Sequence, residues 1–471
     1  MSVRRERRIS SRFICHDMFW VRDKSFYKNL IVLAIPIILQ NVITFGVSLA
    51  DNIMIGRLGE VPIAALHIGT KVQGVLQIIL FGVESALIIL SSQYWGKRDT
   101  DHIKDVISIA LRLTFVVTAP MAFIAFFLPE WFVGLITDHP DIIRCCAAYL
   151  RILAVSYLVF GISMTLLCAM RSVEMVRIGL INSMVALFVN VVLNYLLIFG
   201  NCGFPRLEVR GAAIATFIAR FIELAVVAIF VRYFDPNLKM RLPDFKRWDP
   251  DIFHDLIKYG TPLMAGQVTW AVNQFCQTAI IGRMGGAVLA SISIVGTLYQ
   301  FLHVGVFGLA AATGIMTGKT IGAGEFEKMK TQARTMQAIF CFIGLCLGAT
   351  VFFGNEIFLK CYKLEPETRA IIDSMMRVLV VVIAFGCYQG PCLMGLVKSG
   401  GDTSFVFKND TFFVFCVVLP SAFIAMHWLH APPWVVYACL LSDQVLKCFV
   451  AFVKINSFNW MKNLTRPKQT A

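Results

Sequence analysis

Apolar stretches follow one another from about residue 29 to residue 455, separated by short polar segments. Each runs for about 20 residues or more, enough to cross the roughly 30 Å hydrocarbon core of a bilayer as a helix. The pattern predicts twelve spans, over 29–55, 63–92, 105–128, 140–170, 177–200, 211–234, 254–281, 287–317, 330–353, 367–397, 406–427 and 433–455. The expected fold class is therefore an all-α integral membrane protein. A basic segment (1–28) precedes a first six-helix lobe (29–234). A linker rich in Asp, Pro and Lys (235–253) leads to a second six-helix lobe (254–455) and a tail (456–471). The first apolar run contains Pro36, Gln40 and Asn41 and no small-residue cleavage site, so it reads as a retained span rather than a signal peptide.

The two halves repeat. At an offset of 226, Pro36 meets Pro262, Gly56-Arg57 meets Gly282-Arg283, Gly59 meets Gly285, and Gly96 meets Gly322. At 227, Ser172 meets Ser399 and Asn182 meets Asn409. A register held over so long a stretch is the mark of a duplicated unit. Six spans per half gives both halves the same orientation, so an axis along the membrane normal relates them, with a substrate cavity between the lobes near the midplane.

Composition narrows the class. Hydrophobic residues make up 58% of the 471 and charged residues only 15%, against about 25% in soluble domains. Soluble enzymes are set aside on that ground. The net charge of +14 suggests nucleic acid until its distribution is considered. About three quarters of the Lys and Arg residues fall in alternate loops, the bias that marks the cytoplasmic side. Both termini are thus expected in the cytoplasm of a multi-pass cell (inner) membrane protein, with the lipid bilayer as partner, no nucleic acid, and a monomeric state. The 14 Cys residues lie mostly within apolar runs without CxxC or Cys/His spacing, so neither disulfides, a structural metal nor a cofactor is expected.

Ionisable and amide groups inside spans are costly and mark candidate sites. Asp51 lies far along the first span and can exchange a proton or bind Na⁺; the alternative is a structural pair with Arg57 or Lys71. Asn190 and Asn194, four apart on the fifth span, share one helix face and suit either a cation or interhelical hydrogen bonding. Thr216 adds a hydroxyl from the sixth span. Glu84, in mid-span, faces a cavity or a partner helix. Gln40 and Gln274 are further cavity candidates. Arg220 with Glu223 and Asp373 with Arg377 are spaced to neutralise each other, while Asp410 and Asp443 read as interfacial or structural. The sequence has no GxxxxGK[ST] loop for ATP and no HExxH or GxSxG motif.

Several of these segments together resemble the multidrug and toxic compound extrusion (MATE) family of secondary transporters, over about Leu30 to Lys454. In the first half the resemblance rests on Pro36, on Ala50-Asp51-Asn52-Ile53-Met54-Ile55-Gly56, on Asn190-Val191-Val192-Leu193-Asn194-Tyr195 and on Gly211-Ala212-Ala213-Ile214-Ala215-Thr216. In the second it rests on Gly260-Thr261-Pro262, Gly282-Arg283-Met284-Gly285 and Lys398-Ser399-Gly400-Gly401-Asp402-Thr403. The resemblance implies twelve spans in two lobes forming a V. It also implies export of amphipathic, often cationic, compounds against inward H⁺ or Na⁺, with Asp51, Asn190, Asn194 and Thr216 as coupling residues, Pro36 as the bend of the first span and Trp270 as a further cavity candidate. The chain departs from some branches: Trp270 stands where they place a seventh-span Glu, Cys387 near a tenth-span Asp, and Asn194 in place of an Asp. These departures place the coupling in the N-lobe.

A lipid-linked oligosaccharide flippase of the same superfamily is the main alternative, and would be expected to carry more cavity cations for its pyrophosphate. A major-facilitator transporter fits less well, since Gly96-Lys97-Arg98-Asp99-Thr100 does not match its loop between spans two and three. A membrane transferase using His427 and His430 conflicts with the twofold repeat, and a channel lacks a filter-like segment.

Overall fold

The computed structural model describes residues 20–360 and 365–467. Arg4, Arg5, Arg7, Arg8 and Arg12 of the basic N-terminal segment, Lys363 and residues 468–471 of the tail lie outside the described residues. Within them the chain forms twelve long helices and no strand. The N-lobe contains α1 (Lys24–Gly56), α2 (Glu60–Gly96), α3 (Thr100–Phe127), α4 (Pro140–Ser172), α5 (Arg177–Phe199) and α6 (Glu208–Phe234). The C-lobe contains α7 (Pro250–Gly282), α8 (Gly286–Gly322), α9 (Phe326–Leu359), α10 (Thr368–Val397), α11 (Thr403–His427) and α12 (Pro433–Ser457).

Eleven of these are long and apolar enough to cross a membrane. The exception, α7, has 33 residues, roughly 50 Å at 1.5 Å per residue. Its length suffices, but Gln267, Asn273, Gln274 and Gln277 dilute its apolar character. The repeat extends to the caps. Asp23 accepts the Ser25 N–H at 2.8 Å, and Asp249, 226 positions on, accepts the Asp251 N–H at 2.8 Å. Each thereby satisfies a donor that the first turn of α1 or α7 leaves free.

The cores show how the lobes are joined. Phe26, Leu30, Leu33 and Ile37 at the start of α1 pack into a cluster built by α8, α9, α10 and α12 of the C-lobe. Ile252 and Leu256 at the start of α7 pack reciprocally into the N-lobe cluster of α2, α3 and α4. Farther along, Ile55 of α1 belongs to an N-lobe core and Ile280 and Ile281 of α7 to a C-lobe core. Each helix therefore changes lobe partway along its length. Pro36 and Pro262 stand at that level, where a missing backbone donor makes bending cheap.

Small residues close the end from which α1 and α7 start. A Cβ on Gly96 would collide with the Lys319 carbonyl, one on Gly322 with the Gln93 carbonyl, and one on Gly318 with the Ser92 hydroxyl. Lys319 of the C-lobe also pairs with Glu174 of the N-lobe at 2.7 Å, and Trp95 Nε1 donates to the same carboxylate at 3.2 Å. In the other half of the helices, a Cβ on Gly46, Gly74, Gly282, Gly296 or Gly305 would meet no other element within 4 Å among the described residues. The lobes clasp at one end and stand apart at the other, as expected of a V.

Both ends of the described chain lie at the clasped end. Val21 N–H donates to Thr335 Oγ1 at 3.0 Å, and the tail after α12 crosses the seam. Trp460 is fully buried with the C-lobe cluster, whereas Leu464 packs against the N-lobe cluster. Lys462 N–H donates to the Gly400 carbonyl at 2.8 Å, Leu464 N–H to Gln93 Oε1 at 2.7 Å, and Arg466 Nε to Asp255 at 2.9 Å. Asp402 holds Lys454 and Lys462 at 2.7 and 3.0 Å. Burial pushes the Asp402 carboxyl up, but the two lysines outweigh it and hold it below the usual Asp value.

Two outcomes follow. Gly322→Ala is expected to destabilise the clasped end by about 1–3 kcal/mol through overpacking, read as a lower unfolding midpoint in detergent. A depressed carboxyl stabilises the folded state above its ordinary titration range and loses that contribution as pH falls below it. Release of the tail, followed by proteolysis after Lys462, is therefore expected in wild type only below the ordinary Asp range. Asp402→Asn should show it at neutral pH.

Candidate functional site

Asp51 lies in the half of α1 remote from the clasp, on the part that packs with the N-lobe. Its partner is neither Arg57 nor Lys71. Asn194 Nδ2 of α5 donates to Asp51 Oδ1 at 2.6 Å and to Asn190 Oδ1 at 3.0 Å. Asn190 Nδ2 in turn donates to Thr216 Oγ1 of α6 at 3.5 Å. The four residues expected from the sequence thus form one chain of contacts across α1, α5 and α6. Asn190 and Asn194 are buried, yet Asn194 Oδ1 has no hydrogen-bond partner among the described residues. An orphaned acceptor in a dry interior is costly and calls for a donor or a cation.

The surrounding charges do not balance. Arg220 Nη1 contacts Glu223 Oε2 at 2.7 Å, so the expected pair forms, and its guanidinium lies 4.6 Å from the Phe160 ring centroid. Asp51 lies within range of the Arg220 charge and of Tyr149. That ring is admitted by Gly69, where a Cβ would come 2.6 Å from Tyr149 Cε1. Two carboxylates against one guanidinium leave one negative charge when all are ionised, and one H⁺ or Na⁺ cancels it. The donor set fits either ion: a carboxylate, two amides and a hydroxyl are all hard oxygen ligands.

Gly260 and Met264 of α7 touch Gly82 of α2, and the same helical stripe continues through Gln267, Ala271, Gln274 and Thr278. On α1, Ile38 touches Gly308 of α8, and its stripe continues through Asn41, Phe45, Ser48 and Asn52. Phe45 and Phe301 approach across the seam with ring centroids 6.5 Å apart. By this periodicity the seam-facing stripes of α1 and α7 carry amides and hydroxyls, and the Phe45–Phe301 pair lies between α1 and α8. Gln274 falls on the α7 stripe, and Trp270, one position outside it, is 55% exposed.

Two other expectations are corrected, at Gln40 and at the Asp373–Arg377 pair. Gln40 is buried and accepts from Arg171 Nη2 at 2.8 Å, packed against Gly179 rather than lining the cleft. Arg377 bonds the Ser374 hydroxyl at 3.3 Å, and its expected pair with Asp373 does not form. Asp410 and Asp443 both hold Lys447, at 2.8 and 3.0 Å, and that lysine is only 7% exposed. Glu84 lies beside Cys168 and Arg171 near the seam, and Lys398 of the C-lobe sits 5.2 Å from the Phe81 ring centroid. Sequence reasoning assigned Arg171 and Lys398 to loops. The repeat carried the missing signal, because they are 227 apart, as are Arg220 and Lys447.

Comparison with known proteins agrees with this architecture. The MatE family model matches residues 36–196 and 262–425, one segment in each half. A relative described as probable multidrug resistance protein YoeA of Bacillus subtilis is 22% identical over 449 residues, covering 93% of this chain and 95% of the relative. Probable multidrug resistance protein NorM of Photorhabdus laumondii is 23% identical, covering 84% and 87%. Among solved structures, the Vibrio cholerae MATE transporter VcmN in its bent form superposes with a TM-score of 0.83 at 18% identity, covering 92% and 97%. A MOP superfamily transporter from Pyrococcus furiosus gives 0.81 at 18%, covering 92% and 96%.

Asn194→Leu removes the donor that serves both Asp51 and Asn190. It is expected to cost about 1–3 kcal/mol, the penalty of leaving buried acceptors unpaired, seen as a lower unfolding midpoint. The conservative Asn194→Gln should recover part of it.

Proposed function

Because the chain belongs to the MatE family of transporters, matched in both of its halves, we propose that it is a secondary active multidrug exporter driven by H⁺ or Na⁺ antiport. Its substrates are amphipathic, often cationic, organic compounds taken up in the cleft between the lobes. The protein sits in the cell membrane with the clasped end, and so both termini, in the cytoplasm, in line with the positive-inside bias. The observation that carries this reading is the N-lobe site. Asp51 is held by Asn194, next to an orphaned amide oxygen, in surroundings with one uncompensated negative charge.

The mechanism follows from that charge. While Asp51 is ionised and unpaired, its surroundings resist closing, since burying a lone carboxylate costs several kcal/mol. A cation on Asp51 removes the penalty, with the oxygens of Asn190, Asn194 and Thr216 available to hold it. Lobe arrangements that differ by a few kcal/mol are biased by a term of that size. Binding of the ion from outside thus favours substrate release there, and its loss to the cytoplasm resets the cycle.

The alternative, a lipid-linked oligosaccharide flippase, draws on Arg171 and Lys398, which stand near the seam as twin cations. Transport separates the two. Inverted vesicles are assayed for ethidium accumulation under an imposed pH gradient and, separately, a Na⁺ gradient. Wild type is expected to accumulate the dye under at least one of them. Asp51→Asn mimics the neutral state, so it should insert normally and lose gradient-driven accumulation by about tenfold or more. Trp270→Ala should weaken cationic dyes more than neutral ones, since an aromatic face attracts cations by about 0.5–2 kcal/mol. Undiminished accumulation in Asp51→Asn overturns the coupling role. No accumulation of any dye by wild type favours the flippase.

A further inference from the structure

The residues after α12 are built into the closed seam, and they hold the two lobes in different ways. Phe458 ends the helix with φ 57°, a left-handed cap that turns the chain off the helix axis. Beyond Trp460 the chain runs without regular structure. Its hold on the C-lobe is apolar and deep. Trp460 is fully buried, its Nε1 donates to the Ile455 carbonyl at 3.0 Å, and a Cβ on Gly400 would collide with its ring.

The hold on the N-lobe is polar and centres on Gln93 of α2, itself fully buried. Gln93 Nε2 donates to the Lys462 carbonyl at 3.2 Å and to the Ser399 carbonyl at 3.3 Å, while its Oε1 accepts the Leu464 N–H at 2.7 Å. One side-chain amide thus pairs with the backbone of two alternate tail residues. Farther on, the Arg466 N–H donates to Tyr94 Oη at 3.3 Å, and Lys97 Nζ donates to the Arg466 carbonyl. The Arg466 guanidinium meets Asp251 and Asp255, each at 2.9 Å, on the stretch of α7 that is lodged in the N-lobe.

This segment has no slack. The Lys462 N–H is tied to Gly400 of the C-lobe and the Leu464 N–H to Gln93 of the N-lobe, and two residues reach at most about 7 Å. Parting the lobes along this line cannot stretch the tail and has to break one of its two attachments. The N-lobe side is the weaker, because Trp460 is sealed in a core whereas the Arg466 side chain is 36% exposed, where water competes with ion pairs.

We infer that residues 461–467 form a strap, carried by the C-lobe and latched on Gln93, that holds the clasped end shut and must unlatch before that end opens. The inference rests on the reading of the protein as an exporter whose lobes alternate, and adds to it a gate remote from Asp51. Lobe arrangements a few kcal/mol apart are shifted by contacts made in one of them alone, and the latch is such a set.

The test uses the full-length protein in nanodiscs, with spin labels at residues 177 and 327, both exposed, at the starts of α5 and α9 on either side of the clasped end. The labels are carried on non-natural amino acids, so the native Cys residues stay unmodified. Wild type is expected to show mainly the short distance. A chain stopped after Lys462 keeps Trp460 but loses Leu464 and Arg466, and should raise the long-distance population about tenfold, in keeping with the loss of several hydrogen bonds. Arg466→Ala should raise it about threefold, as expected for a partly exposed ion pair, and repeats the test should the shortened chain not fold. Gln93→Leu should act like the shortened chain. A distance distribution that stays at the wild-type short value in these variants, even with a lowered unfolding midpoint, makes the segment a structural plug and overturns the inference. Distances are read without dye or ion gradient, so failure here leaves the efflux reading standing, and failure of that reading appears in transport alone.

Discussion

The arrangement depends on one exchange. The first turns of α1 are buried in the C-lobe and the first turns of α7 in the N-lobe, so neither lobe completes its core at the clasped end without a helix from the other. The remote halves of the same helices belong to their own lobes. Pro36 and Pro262 lie where the allegiance changes. A lobe movement that opens the clasped end has to peel Phe26, Leu30 and Ile37 from one core and Ile252 and Leu256 from the other. The small residues at the seam bring the backbones close enough for that packing. The Glu174–Lys319 pair and the tail from Trp460 to Arg466 add polar contacts across the same line.

Against this apolar scaffold the charged groups are few and arranged unequally. The N-lobe holds Asp51, Arg220 and Glu223 in one neighbourhood, and the C-lobe holds Asp410, Lys447 and Asp443. The N-lobe group differs in one respect that matters for exchange of an ion. Asp51 has a single short contact from Asn194, beside an acceptor with no partner. In the C-lobe group the buried lysine touches both carboxylates, which suits a structural role. Inequality between two lobes of the same fold lets one of them sense an ion while the other moves as a body.

Much of this was legible in the sequence. Helix number and the pairing of halves followed from hydropathy and the 226-residue register, and the cluster of Asn190, Asn194 and Thr216 from polar side chains placed in apolar spans; Asp51 joined them as a coupling residue through the family resemblance, and its contact with Asn194 is seen in the structure. Family resemblance added the roles but not the contacts. What periodicity did not supply was direction. Gln40 is polar in a span, yet its side chain turns to Arg171, because Gly179 leaves room there. Asp373 and Arg377 have the spacing of an ion pair, but the guanidinium finds Ser374 instead. Spacing on a helix permits a contact without compelling it. Arg171 and Lys398 were placed in loops because helices here run past the hydrophobic limits, so cations near a span end are drawn between the lobes.

The central claim is that the charge state of Asp51 sets the balance between lobe arrangements. The most direct measurement is the distance between spin labels on the two lobes at the open end, one after α1 and one after α7, in nanodiscs over a titration of pH and of Na⁺. The account predicts that the wild-type distance distribution shifts between two populations as the effective cation is added. It also predicts that Asp51→Asn stays in the cation-bound population throughout. A distribution that responds to the cation equally in both proteins would contradict it.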